Sequence, residues 1–257
     1  MFSARVGRFM APVRLDTDGG VGTVTIDRPE RHNALDSATL AALESALADA
    51  RDDDVRTLVL TGAGEESFSV GADVRELADA SVAEADAYVE TAQRVTRELA
   101  GFPAPTVAAI SGYCLGGGWE LALNCDLRVA SERAVLGHTE LDLAVVPVWG
   151  GVRKLVRLVG DETARRLVFF AERLDAQDAY ELDLVGDVIA HDNVDGYAHG
   201  LAEDLVDAPP FALQAAKEAF EYAWRERAAD TGFQRRLWGE LFGTDARREA
   251  MHEFLDR

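Results

Sequence analysis

Residues Ser111 to Asp126 read SGYCLGGGWELALNCD, and the rest of the chain is best read outward from them. An apolar, β-rich run at 106–110 leads into three consecutive glycines, Gly116 to Gly118, and a helix-forming segment at 119–124 follows. That order predicts a strand, a tight glycine loop and a helix start. Glycine permits positive φ and close approach of a ligand to main-chain N–H groups. At a helix N-terminus those groups point outward and favour negative charge. Glu120 falls in the first helical turn. A carboxylate beside a backbone pocket suited to an oxyanion points to acid–base chemistry on a carbonyl compound. Taken alone, the stretch is equally readable as a close-packed loop whose glutamate complements the helix dipole.

Composition narrows the classes. A chain of 257 residues suits one large domain, or one domain with a smaller appendage, and its 48% hydrophobic content indicates a folded globule. The formal charge of −20 argues against nucleic-acid partners, because the basic footprint for phosphates is missing. All but two of the 26 basic residues are arginine, the exceptions being Lys154 and Lys217. With acidic runs such as Asp52–Asp53–Asp54, the surface resembles that of proteins from salt-loving organisms; an acidic enzyme from a GC-rich genome is the alternative. In molar salt the Debye length is about 3 Å, so local contacts and not net charge would govern an anionic substrate. Cys114 and Cys125 are too few for a disulfide framework and lack metal-ligand spacing, so buried free thiols and no metal are expected. No apolar run approaches the roughly 20 residues of a membrane span. The acid-free start, MFSARVGRFMAPVR, faintly resembles a transit peptide, with initiation at Met10 instead of Met1 as the simpler account. A cytoplasmic protein without membrane or nucleic-acid partners is expected.

Along the chain, alternation predicts a β-hairpin at 13–15 and 21–26 around Asp18–Gly19–Gly20. Asp36 or Ser37 caps a helix to about residue 51, and residues 57–60 form a buried strand ended by Thr61–Gly62–Ala63–Gly64. Gly71–Ala72–Asp73 supplies a second glycine bend, leading into a short helix at 74–78; a longer helix follows at 83–100. Beyond the central stretch, strands are expected at 127–130, 135–136 and 185–189, and helices at 152–159, 163–170 and 174–182. Residues 195–257 read as helical. Their aromatics, Phe211, Phe220, Tyr222, Trp224, Phe233, Trp238, Phe242 and Phe254, are expected in core or subunit packing.

Both glycine bends lie within longer stretches that together resemble the enoyl-CoA hydratase/isomerase, or crotonase, family. These are VTIDRPERHNAL (24–35), LVLTGAGEESFSVGADVREL (58–77), AAISGYCLGGGWELALNCDLRVA (108–130) and LGHTELDLAVVPVWGG (136–151), with the ending FGTDARREAMHEFLDR. Four motifs in order, spanning nearly the whole chain from Val13, are far more specific than one glycine-rich loop. The resemblance implies an α/β fold, a crotonase-type spiral of repeated strand–strand–helix units at 11–195. A C-terminal helical region at 196–257 would mediate a homotrimer or homohexamer. It implies a hydratase that adds water to a 2-trans-enoyl-CoA, with no cofactor beyond the coenzyme A of the substrate. Glu120 would orient and activate the water and Glu140 deliver the α-proton, while the backbone N–H groups of Ala72 and Gly117 bind the thioester oxygen. Arg28, Ala72, Asp73, Val74, Gly116, Gly117 and Val148 are the expected substrate and coenzyme A contacts, with Arg75 a further cation for phosphate. Asp73 and Asp126 are expected to cap or brace loops, and His138 to orient or lie at the surface.

Three departures bear on this expectation. Val148 stands where many family hydratases have glycine, and its side chain is expected to narrow the water site. Trp119 and Trp149 are bulky beside the glycine loops and are expected to reshape the acyl pocket. Glu66 replaces a position that is often basic. Double-bond isomerisation, which needs one base, or another crotonase-type acyl-CoA reaction, and a non-catalytic or RNA-binding role remain the alternatives.

Overall fold

Alternating apolar and polar residues from Val13 onward form an antiparallel hairpin, β1 (Val13–Asp18) and β2 (Val21–Ile26), closed by Gly19 and Gly20 at positive φ. In the computed structural model, which describes residues 11–225, 235, 238–239 and 242–256, this hairpin edges a six-stranded sheet. Next to β2, in order, run β3 (Thr57–Gly62), β5 (Thr106–Ile110), β7 (Leu127–Ser131) and β10 (Asp187–Ile189), all parallel to it. Every residue of β3 and β5 is buried, which accounts for continuous runs in place of alternation.

A second sheet is built from β4 (Ser67–Ser69), β6 (Tyr113–Leu115), β8 (Val135–Gly137) and β9 (Leu174–Asp175). Three successive pairs, β3–β4, β5–β6 and β7–β8, give their first strand to one sheet and their second to the other. Helices return the chain after each pair: α2 (Val74–Leu77) and α3 (Val82–Ala100), then α4 (Gly117–Asn124), then α5 (Gly151–Val159) and α6 (Asp161–Phe169). The result is the strand–strand–helix spiral.

Two details differ from expectation. Strands β4 and β6 escape the sequence reading because three residues are too few to show an alternation. Residues 174–182 are not one helix: Leu174 pairs with Leu136 and Asp175 with Val135, and only α7 (Ala176–Glu181) is helical. The Asp175 carboxylate caps it, accepting from Asp178 N at 2.8 Å.

The main core lies between the two sheets and the helices α1 (Ser37–Asp52), α3 and α4. Asp36 caps α1 through Thr39 N at 2.8 Å, and Leu40, Leu43 and Leu47 form its buried face. A smaller core covers the other face of the six-stranded sheet, where Val194, Ala198 and Ala202 of α8 (Val194–Val206) rest on Val21, Val59, Val107 and Val129. A division at 195/196 thus falls in the first turn of α8. Helices α9 (Pro210–Arg225) and α10 (Asp245–Leu255) complete the described chain. Residues 1–10, with both candidate starts, and Phe233 lie outside the described residues, as do the side chains of Tyr222 and Trp224. Cys114 and Cys125 are buried and free. No helix among the described residues is long and apolar enough to cross a membrane.

The C-terminal segment is clasped onto the spiral by Arg247, which is 2% exposed. Its guanidinium donates to Ala78 O at 2.6 Å and to Phe242 O at 2.9 Å, and stacks 4.0 Å from the Phe242 ring. Arg247→Met should leave those carbonyls unpaired and cost about 2 kcal/mol, read as a lower urea midpoint with an unchanged slope.

Candidate active site

The site begins at the two glycine bends. In the first, Asn33 adopts φ of 56° with its side chain fully buried; its amide donates to Ala63 O at 3.0 Å and to Ser67 O at 2.8 Å. Ser69 Oγ donates to Asn33 O at 2.8 Å and accepts from Gly71 N at 3.1 Å. Ala72 then forms a parallel bridge with Leu35: Leu35 N donates to Gly71 O, and Asp73 N donates to Leu35 O. Such a bridge uses the neighbours' groups and leaves the N–H of Ala72 facing away from Leu35. Asp73 caps α2, accepting from Arg75 N at 3.2 Å.

In the second bend, Gly116 has φ 51° and ψ −125°, a conformation essentially restricted to glycine. Gly117 opens α4, so its N–H is one of the helix's unpaired donors. The bends touch: a β-carbon on Gly71 would lie 2.7 Å from Gly117 N and 2.8 Å from Leu115 O. Among the described residues, neither Ala72 N nor Gly117 N donates to an acceptor. Two free donors side by side form a ready anion site.

Glu120, one turn into α4 and 1% exposed, is held by main-chain donors from the segment before α5. Its carboxylate accepts from Val148 N at 3.2 Å, from Trp149 N at 3.0 Å on each oxygen, and from Gly151 N at 2.7 Å. Burial and the charge of Glu140 raise its pKa to about 7, against the opposing pull of His138 and the backbone donors. Glu140 opens the 3-10 turn Glu140–Leu143 after β8, and its Oε1 would sit 3.5 Å from a β-carbon on Gly116. His138 is buried between the carboxylates in sequence and in charge, its Nδ1 3.6 Å from Glu140 Oε1. Of the two positions expected for it, orienting or at the surface, the second is ruled out: the chain enters the core at β8 and does not leave it until after this residue.

These groups line one cavity of about 820 Å³. Ala72, Asp73, Val74, Gly116, Gly117, Glu120, Glu140 and Val148 all reach it; Arg28 does not. The Arg28 guanidinium lies 2.9 Å from Asp36 and 3.2 Å from Asp73 and donates to Ala34 O at 2.6 Å, so it braces the first bend. Cations on the cavity wall are instead Arg31, Arg75 and Arg173. Trp149 lines the cavity with its ring against Gly117 and 6.0 Å from Tyr88, whereas Trp119 is buried in the core and leaves the pocket shape to Trp149. Trp238, Met251, Phe254 and Leu255 from the C-terminal segment close the apolar end. Asp126 braces β5, accepting from Thr106 N at 2.8 Å and facing Lys217 at 2.7 Å. No cluster of potential metal ligands occurs among the described residues.

Gly151 and the N–H of Trp149 are site elements absent from the sequence reading. The available signal was Gly150–Gly151 ahead of a helix, a repeat of the arrangement at Gly116–Gly117. A β-carbon on Gly151 would lie 2.7 Å from Glu120 Cγ and 2.9 Å from its Oε1. Gly151→Ala should therefore displace the carboxylate and reduce turnover about a hundred-fold, with the far-ultraviolet circular dichroism spectrum unchanged.

The two-sheet strand–strand–helix spiral, with paired backbone donors and the carboxylates of Glu120 and Glu140 on one cavity, is of the crotonase type. The enoyl-CoA hydratase/isomerase family model matches residues 16–257, and the chain belongs to that family. It is 34% identical to the short-chain-enoyl-CoA hydratase of Clostridium acetobutylicum, with 95% of each chain covered. It is 37% identical to the 2,3-dehydroadipyl-CoA hydratase of Escherichia coli, with 91% of each covered. The crystal structure of an enoyl-CoA hydratase from Bacillus anthracis superposes with a TM-score of 0.81 at 32% identity, covering 95% of this chain and 96% of that one.

Proposed function

We propose that the protein is an enoyl-CoA hydratase, adding water to a 2-trans-enoyl-CoA to give a 3-hydroxyacyl-CoA. The observation that carries this reading is the convergence of two carboxylates and two free backbone N–H groups on one cavity. Attack of water at C3 places negative charge on the thioester oxygen, where Ala72 N–H and Gly117 N–H act as preorganised donors. Glu120 orients the water and takes its proton; Glu140 delivers a proton to C2. The different surroundings of the two carboxyls, one in a cradle of N–H groups and one beside an imidazole, support a division into base and acid. No cofactor is needed beyond the coenzyme A of the substrate, whose phosphates we assign to Arg31 and Arg75. In place of the 196–257 assignment to subunit contacts alone, we assign α10 a second task, closing the acyl end of its own chain's cavity. Assembly as a homotrimer or homohexamer would cover the exposed Phe169, Phe170, Phe211 and Phe220, and is checked by sedimentation.

Hydration is tested by following loss of the conjugated thioester across enoyl-CoA chain lengths, at low and at molar salt. Consumption of none of them would overturn the reading. The pH dependence has a defined sign. Glu120 must be ionised to accept a proton, and its carboxyl is held near 7, so kcat/KM should rise with pH through about 7 and fall on the acid side. A rate already at its plateau at pH 5 would contradict Glu120 as the base. Val148 favours one further reading: its side chain lines the cavity beside Glu120, and a site too narrow for water would still permit double-bond isomerisation by Glu140.

A further inference from the structure

Both ring nitrogens of His138 and both carboxylate oxygens of Glu140 are buried without a hydrogen-bond partner. Their closest approach, 3.6 Å between Nδ1 and Oε1, is an ion-pair separation too long for a hydrogen bond. Orphaned polar atoms are costly in an interior, and four of them on two adjacent titratable side chains call for a physical account. Glu120 has one, in its three main-chain donors. An imidazole sealed beside the second carboxylate has none from the geometry described so far.

We propose that His138 and Glu140 hold one proton between them, which makes His138 a positioning residue that keeps Glu140 charged with the proton destined for C2. The consequence for turnover rests on the hydratase reading; the pairing itself does not. Around His138, the charged groups of the described elements are few. Glu120 faces it from α4 and Glu140 from the turn that follows β8, a turn that also carries Asp142. Lys154 is buried one turn beyond Gly151 on α5, and Arg173, whose backbone passes Gly137, has its guanidinium 3.0 Å from Asp142. Burial opposes the imidazolium, but Glu140 and then Glu120 outweigh it and move His138 above the ordinary imidazole value.

The proton inventory closes. Before reaction Glu120 is anionic and the His138–Glu140 pair is neutral. Water gives its proton to Glu120 and its oxygen to C3, while the pair gives its proton to C2. The pair is then anionic and Glu120 neutral, so the site's total charge is unchanged, and transfer of the proton from Glu120 back to the pair resets it. At high pH the pair loses its proton to solvent and the donor is gone. In the pair the proton rests on an imidazole whose hold on it the neighbouring carboxylates strengthen.

Two measurements decide the matter. In the first, the His138 ring carbon signal, assigned through single substitutions of each of the five histidines, is titrated by NMR in wild type and in Glu140→Gln. The expected result is a midpoint that falls by about one pH unit or more in the variant. An equal midpoint in both proteins would overturn the pairing. In the second, His138→Gln is assayed for hydration. Its kcat should fall about ten-fold with KM little changed, and the high-pH limb should move to lower pH by about one unit. A lower rate with an unmoved limb would mean a merely structural histidine and overturn the proposal. If wild type hydrates no enoyl-CoA, the hydratase reading fails, while the NMR comparison still decides the shared proton.

Discussion

Glu140→Gln is expected to lower enoyl-CoA hydration roughly 10³-fold, the middle of the range for a positioned general acid, with a smaller loss of thermal stability than Glu120→Gln. The isosteric amide cannot release a proton to C2. It removes the 3.6 Å ion pair with His138 but no hydrogen bond, because neither Glu140 oxygen accepts one among the described residues. The contrast with Glu120→Gln sharpens the test. Glu120 is surrounded by the N–H groups of Val148, Trp149 and Gly151, and an amide nitrogen there would face a donor. That variant should lose activity and also stability, by about 1–3 kcal/mol for the mismatched buried group. A Glu140→Gln enzyme retaining more than about a tenth of wild-type kcat would remove Glu140 from the chemistry.

Gly71→Ala is the second large effect, expected to reduce kcat by about 10²–10³-fold although no catalytic side chain changes. At φ of 86° an alanine is strained, and its β-carbon would lie within 2.8 Å of both Gly117 N and Leu115 O. Both are main-chain atoms, so relief requires the two bends to separate. Separation moves the Ala72 and Gly117 donors off the common point at which one oxyanion can meet them. KM should change much less than kcat, since the donors act most strongly on charge that develops in the transition state. Equal kcat in the variant would show that the bends do not bind the reacting oxygen.

The sequence carries the fold wherever the signal is local. Residues 57–60 and 106–110 announce buried strands by largely apolar runs, and Asp36 marks a helix start. Gly71 and Gly116 are legible because only glycine suits their backbone. What escapes is non-local. Strands β4, β6 and β9 exist only through pairing with distant partners, and Gly151 joins the site 31 residues from Glu120 through one main-chain bond. Arg28 illustrates the opposite error. The family resemblance makes this arginine a coenzyme A contact, but Asp36 and Asp73, close only in space, engage its guanidinium. For His138 the sequence leaves an orienting and a surface position open, and only its place after β8 decides against the surface.

The most direct test of the central claim is incubation of wild-type protein with crotonyl-CoA in ¹⁸O-labelled D₂O, followed by mass analysis of the product. The account expects 3-hydroxybutyryl-CoA carrying one ¹⁸O at C3 and one deuterium at C2. Unreacted crotonyl-CoA, or a product with a shifted double bond and no ¹⁸O, would contradict it.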